Sequence, residues 1–127
     1  MKHTILIVDD DALILNTLKD RFNNWQFDVY TAKTASEAKE LLAKFEPEVI
    51  ILDVLLTEAD GSTGVLDFLK TRPELARATD IALTNLEKPE LKQMLMEQGV
   101  KEYLIKGSLN LDELYQKVLA YLEPESK

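Results

Sequence analysis

The sequence predicts an α/β domain: a doubly wound, five-stranded parallel sheet with helices on both faces. Three observations predict it. Five short apolar runs rich in β-branched residues punctuate the chain. Segments with helical spacing separate and follow them. The first and third runs are almost continuously hydrophobic, as strands covered on both faces require.

In chain order, the first strand is read as Thr4–Val8. Leu15, Leu18 and Phe22 then mark a helix by their spacing. Asp28–Ala32 is the second strand. Thr34-Ala-Ser-Glu37 has the form of a capping box, and Ala38, Leu41, Leu42 and Phe45 continue it as a helix. Val49–Val54 is the third strand. Gly61 and Gly64 bracket a loop before a third helix marked by Val65, Leu66 and Leu69. Asp80–Thr84 is the fourth strand. Pro89 suits the first turn of the helix carrying Leu91, Met94 and Leu95, and Gly99 suits its end. Glu102–Lys106 is the fifth strand, and Asn110-Leu-Asp-Glu113 caps the last helix, with Leu114, Val118 and Leu122 on its apolar side. Alternation of this kind requires right-handed crossovers, and five strands fit the flavodoxin-like order 2-1-3-4-5. Residues 1–122 are read as one domain, and 123–127 as a tail expected to fray.

Composition narrows the function. The 127 residues carry a net charge of −8, no cysteine and 46% hydrophobic residues. Without thiols there is neither a disulfide framework nor a cysteine-ligated metal. No apolar run reaches the roughly 18 residues that span a bilayer, and Met1–Thr4 shows no signal-peptide pattern. A cytoplasmic protein is expected. The acidic balance argues against direct contact with nucleic acid or an anionic membrane. The charge is also unevenly placed. Asp9, Asp10 and Asp11 stand together, six acids and no base lie between residues 45 and 69, and residues 86–107 balance four Lys against four Glu.

In a doubly wound sheet, ligands bind beyond the carboxyl ends of the strands. Strand one ends at Asp9 and Asp10, strand three at Asp53, strand four at Thr84 and strand five at Lys106. Strand two, at the sheet edge, ends without a charged group. An Asp after a strand is often only a helix cap, which accounts for one of Asp9–Asp11. Asp53 follows a run of buried type, where an unpaired carboxylate is costly. A Thr at a strand end is commonly a cap, and a Lys there is commonly solvated. Their coincidence on one rim instead describes a phosphoryl site. Carboxylates without soft ligands suit Mg²⁺. One carboxylate can serve as nucleophile and form an aspartyl-phosphate, with Lys and Thr on the phosphate oxygens.

These motifs resemble those of the receiver domain of two-component response regulators, over essentially the whole chain. Ile5–Asp10 resembles the first strand and acidic pair, and Ile50–Asp53 the phosphoacceptor strand. Asp60-Gly61, Ala82-Leu-Thr84 and Tyr103-Leu-Ile-Lys106 resemble the later motifs in order. The resemblance is to the stand-alone, chemotaxis-regulator-like kind, or to such a domain cut from a longer chain. It implies a phosphorylation switch rather than an enzyme with a separate substrate. A sensor histidine kinase or phosphotransfer protein would donate the phosphoryl group to Asp53. Asp9, Asp10, Asp53 and the backbone carbonyl of Leu55 would hold Mg²⁺. Lys106, Thr84 and the Asn85 backbone would bind the phosphate. Thr84 and Tyr103 would relay the change to the face built from the last two helices and the fifth strand, where a downstream protein or a second copy would bind.

Several positions depart from the family pattern. Thr57 stands where a Pro is usual, and the loop Asp60–Gly64 is lengthened. Asn85 is larger than usual and is expected to narrow access to the phosphate. Gly107 replaces the usual Pro after Lys106, so a trans bond, a more mobile loop and a less firmly placed Lys106 are expected. Leu55 and Leu86 occupy positions where the family places water-ordering groups; both are apolar, which implies slow self-dephosphorylation. Two other readings stand beside the switch. One is a receiver-fold module that binds partners without phosphate. The other takes Asp9-Asp-Asp11 as the D-x-D of haloacid dehalogenase-like phosphatases, which lacks support in the amphipathic C-terminal segment.

Overall fold

A computed structural model describes residues 2–54, 78–85 and 87–123. The five strands are β1 (His3–Val8), β2 (Phe27–Ala32), β3 (Val49–Asp53), β4 (Thr79–Thr84) and β5 (Glu102–Ile105). Among the described residues the helices are α1 (Ala12–Phe22), α2 (Ala35–Leu42), α3 (Pro89–Glu97) and α4 (Leu111–Leu122). The sheet is parallel throughout, in the order β2-β1-β3-β4-β5. This is the topology expected from the sequence. The expected third helix (Val65, Leu66, Leu69), the Asp60–Gly64 loop, Thr57 and residues 124–127 lie outside the described residues.

Alternation along the strands builds two cores. Leu6, Val8, Ile50, Leu52 and Ala82 meet Ala35, Ala38 and Leu42 of α2 and Leu95 of α3 on one face. Ile5, Ile7, Val49, Ile51, Ile81 and Leu83 meet Leu15, Leu18 and Phe22 of α1 and Leu114, Tyr115 and Val118 of α4 on the other. The central strands are apolar at consecutive positions because both of their faces are covered. Burying each large apolar side chain stabilises the fold by about 1.5–3 kcal/mol. Phe22 has no exposed surface and contacts Phe27 edge-to-face at 5.1 Å and Tyr115 by stacking at 5.2 Å.

The helix ends follow the expected chemistry with two adjustments. Thr34 Oγ1 accepts from the Glu37 N–H at 3.0 Å, but Glu37 Oε1 accepts from the Lys33 N–H at 2.8 Å rather than from Thr34 itself. α2 also closes at Leu42, so Phe45 lies beyond it, with its ring 4.3 Å from that of Tyr30. Asn110 Oδ1 accepts from the Glu113 N–H at 3.0 Å, and Pro89 opens α3. Gly99, at φ +108°, closes α3: its N–H donates to Met96 C=O, and Val100 N–H donates to Leu95 C=O, both at 3.1 Å. That pair of bonds needs a left-handed residue, which glycine supplies without a Cβ clash.

β5 ends at Ile105, one residue before the expected boundary, because Lys106–Ser108 form a turn of 3-10 helix. The described peptide bonds are all trans, including Lys106–Gly107, as expected. The segment forms a closed turn, with Leu109 N–H donating to Lys106 C=O at 3.3 Å.

One carboxylate lies in the core away from the rim. Asp80, early in β4, is 9% exposed, and its Oδ1 has no hydrogen-bond partner among the described residues. Burial raises its pKa from 3.8 to about 7, and the Lys101 charge only partly opposes this. The folded state therefore prefers the protonated acid. Stability from this group is full below about pH 4 and is lost as the pH rises through about 7. Urea titrations of the wild type should show stability falling between about pH 4 and pH 7, and Asp80→Asn should flatten that fall and gain about 1–3 kcal/mol at pH 8. Equal pH slopes in the two proteins would contradict the assignment.

Candidate functional site

The rim beyond the strand C-termini gathers its charged groups through sheet register. Val8 lies opposite Leu52, so the next residues, Asp9 and Asp53, are neighbours across β1 and β3. Asp53 lies opposite Leu83, which puts Thr84 one step further out on β4. Thr84 lies opposite Ile105, and Lys106 follows. The carboxylates and Thr84 need not reach far, since parallel pairing brings the strand ends to the same level. Lys106, by contrast, uses its long side chain to cross from β5 past β4 to Asp53 on β3 and Asp9 beyond β1.

Three carboxylates converge there. Asp9, Asp10 and Asp53 each offer an oxygen, and these oxygens lie within 4.8 Å of one another. Asp9 is 1% exposed and Asp53 5%, whereas Asp10 is exposed. Lys106 bridges the two buried acids, with Nζ 2.8 Å from Asp9 Oδ2 and 3.3 Å from Asp53 Oδ2. Burial works against the ammonium, but the hydrogen bond to Asp9 and the Asp53 charge outweigh it, so the Lys106 pKa is raised and the group stays charged. The other Asp9 oxygen accepts from the Asp11 N–H at 2.8 Å. Two carboxylates hold the Lys106 ammonium.

Asp11 is the helix cap among the three acids. Its Oδ1 accepts from Leu13 N–H at 3.0 Å and Ile14 N–H at 3.4 Å, opening α1. The capping role accounts for the third of the consecutive acids. Thr84 is fully buried at the end of β4, and Asn85 beside it is exposed. Tyr103, on edge strand β5, is partly buried against the core that contains Leu6 and Ala82. Burial raises its pKa, and a hydrogen bond to the Lys88 backbone opposes the rise. Tyr103 also lines a groove of about 400 Å³ with Glu87, Lys88, Pro89, Lys92 and Ile105. Leu55 and Leu86 lie outside the described residues.

The rim thus unites Asp9, Asp10, Asp53, Thr84 and Lys106, while Tyr103 sits on the neighbouring strand edge. The donor set is three carboxylates with no nitrogen or sulfur, which fits a hard divalent cation such as Mg²⁺. The ion pair between Lys106 and Asp9 was missed in the sequence. Its signal was present: a strand-end Lys facing two buried acids is their natural counter-ion as well as a phosphate ligand.

Comparison with known proteins agrees with this geometry. The sequence profile of the response regulator receiver domain matches residues 5–119. The response regulator protein GraR of Staphylococcus aureus (strain JH9) is 26% identical over 129 residues, covering 97% of this chain and 56% of GraR. The chain therefore spans about half the length of the curated relatives it matches. A CheY-like receiver domain protein from Methanospirillum hungatei JF-1 superposes with a TM-score of 0.85 at 26% identity, covering 98% of this chain and 96% of that one. The BeF3-activated receiver domain of DrrB, a Thermotoga maritima OmpR/PhoB homologue, superposes with a TM-score of 0.81 at 28% identity, covering 97% and 99%. No helix among the described residues is long and apolar enough to cross a membrane. Matched profile, topology and rim together place this chain in the response regulator receiver domain family of two-component systems.

Proposed function

We propose that the chain is a phosphorylation-dependent signalling switch whose phosphoacceptor is Asp53. The observation that carries this reading is the convergence of Asp9, Asp10 and Asp53 within 4.8 Å, with Lys106 bridging Asp9 and Asp53. Asp9, Asp10, Asp53 and the Leu55 carbonyl would hold Mg²⁺. When bound, the ion supplies positive charge against the oxygens of an incoming phosphoryl group.

The donor is a phosphohistidine of a sensor kinase or phosphotransfer protein. An Asp53 carboxylate oxygen attacks phosphorus and forms the new O–P bond as the N–P bond breaks. The electron pair leaves on the imidazole nitrogen, which takes up a proton from solvent. Lys106 can hold a phosphoryl oxygen as a point charge, with the Thr84 hydroxyl and the Asn85 backbone as further donors. A new dianionic group beside Thr84 then biases the Tyr103 edge, a local charge change read out by a two-state element. The downstream partner is a protein or a second copy of the chain, and a cytoplasmic location fits these partners. The domain is proposed to span residues 1–122.

Two outcomes test this reading. Acetyl phosphate with Mg²⁺ should label Asp53, seen as a mass increase on the peptide that contains it. Asp53→Asn or removal of Mg²⁺ by a chelator should abolish the label; labelling on Asp9 would overturn the assignment. Leu55 and Leu86 cannot orient an attacking water, so the acyl phosphate should be long-lived. Leu86→Gln should shorten its lifetime by at least about tenfold, and a lifetime of seconds that this change leaves alone would remove the tuning role.

A further inference from the structure

At the end of the sheet opposite the acid cluster, His3 begins β1 between two carboxylates from distant parts of the chain. Its Nε2 lies 2.7 Å from Glu123 Oε2, just past α4, and its Nδ1 lies 3.2 Å from both oxygens of Glu48, just before β3. The side chain is only 20% exposed, and its ring centroid lies 5.8 Å from that of Phe27. Glu48 Oε1 also accepts from the Thr4 N–H at 3.3 Å. Lys2, the residue before His3, pairs with Asp28 at 3.7 Å. Glu123 in turn is part of the end of α4, its N–H donating to Leu119 C=O at 2.7 Å.

A neutral imidazole has one N–H donor and one lone-pair nitrogen. Here both nitrogens face carboxylates. In either neutral tautomer, one carboxylate would meet a lone pair and be repelled. Only the imidazolium can serve both at once.

We propose that His3 is a proton-operated latch that fastens the C-terminal end of α4 to β1 and to the entrance of β3 when it is protonated, and frees one of these contacts when it is not. The device is independent of the phosphoacceptor chemistry, since no residue of the rim takes part. It couples pH to the anchoring of the last helix, whose Leu114, Tyr115 and Val118 lie in the core.

The electrostatics agree in sign. Burial of the ring opposes its charge, but the hydrogen bonds and charges of Glu123 and Glu48 outweigh burial, so the pKa is raised above 6.5. The latch is therefore fully engaged below the ordinary imidazole value and is released as the pH rises through the raised one.

His3 is the single histidine of the chain, so its ring signals can be followed by NMR in the whole protein without assignment ambiguity. The wild-type midpoint should lie above 6.5, and Glu48→Gln and Glu123→Gln should each lower it. Amide exchange at Leu119–Glu123, corrected for the intrinsic effect of pH, should quicken as the pH passes that midpoint. His3→Gln should remove the step while leaving the rest of the exchange pattern intact. A midpoint at or below 6.5, a midpoint unmoved by either Gln substitution, or an exchange step that survives in His3→Gln would each overturn the latch.

Discussion

The ion pairing of Lys106 with Asp9 and Asp53 is the interaction on which the rim depends. Like charges about 4 Å apart repel by about 4 kcal/mol where the effective dielectric is near 20. Two of the three acids are almost entirely buried, which adds a desolvation cost. A fold does not gather such groups for stability. It tolerates them because an ammonium lies between two of them and because the backbone holds the strand ends in place. The same arrangement leaves the cluster suited to a divalent cation, which relieves the repulsion that Lys106 relieves only in part.

The sheet supplies most of that arrangement through its backbone. Parallel register carries Asp9, Asp53, Thr84 and Lys106 to one rim, where short carboxylates suffice on β1 and β3 and the long Lys106 side chain reaches across β4 to meet them. The two cores then fix the strands from both faces, α1 and α4 on one side, α2 and α3 on the other. Charge is distributed accordingly. The net −8 is concentrated partly at the rim, whereas the segment around α3 and β5, with its groove beside Tyr103, balances its Lys and Glu. Far from the rim, His3 draws two carboxylates together by the same logic, with a titratable cation in place of a permanent one.

Much of this was legible in the sequence. Strand order followed from five apolar runs alternating with helical spacing, and the rim followed from which residues end each strand. Asp11 as a cap could be anticipated, since three consecutive acids exceed what a site needs. The turn after Lys106 was harder to read. Gly107 stands where a Pro is usual, and a local hydrogen bond and two carboxylates define the turn's geometry. Contacts between remote residues left no local trace. His3 and Glu123 are 120 positions apart, and nothing in the periodicity of either segment joins them. Asp80 was equally hidden, since a strand-start Asp reads as solvated until the cover over it is known.

In the proposed switch, charge placed on Asp53 reaches Thr84 and Tyr103. Beryllofluoride with Mg²⁺ mimics an aspartyl-phosphate, and backbone amide NMR reads both residues directly. Addition to the wild type should shift the Thr84 and Tyr103 signals, and addition to Asp53→Asn should leave them in place. Wild-type signals that do not move, or equal shifts in Asp53→Asn, would contradict the switch and favour a receiver fold that binds its partners without phosphate.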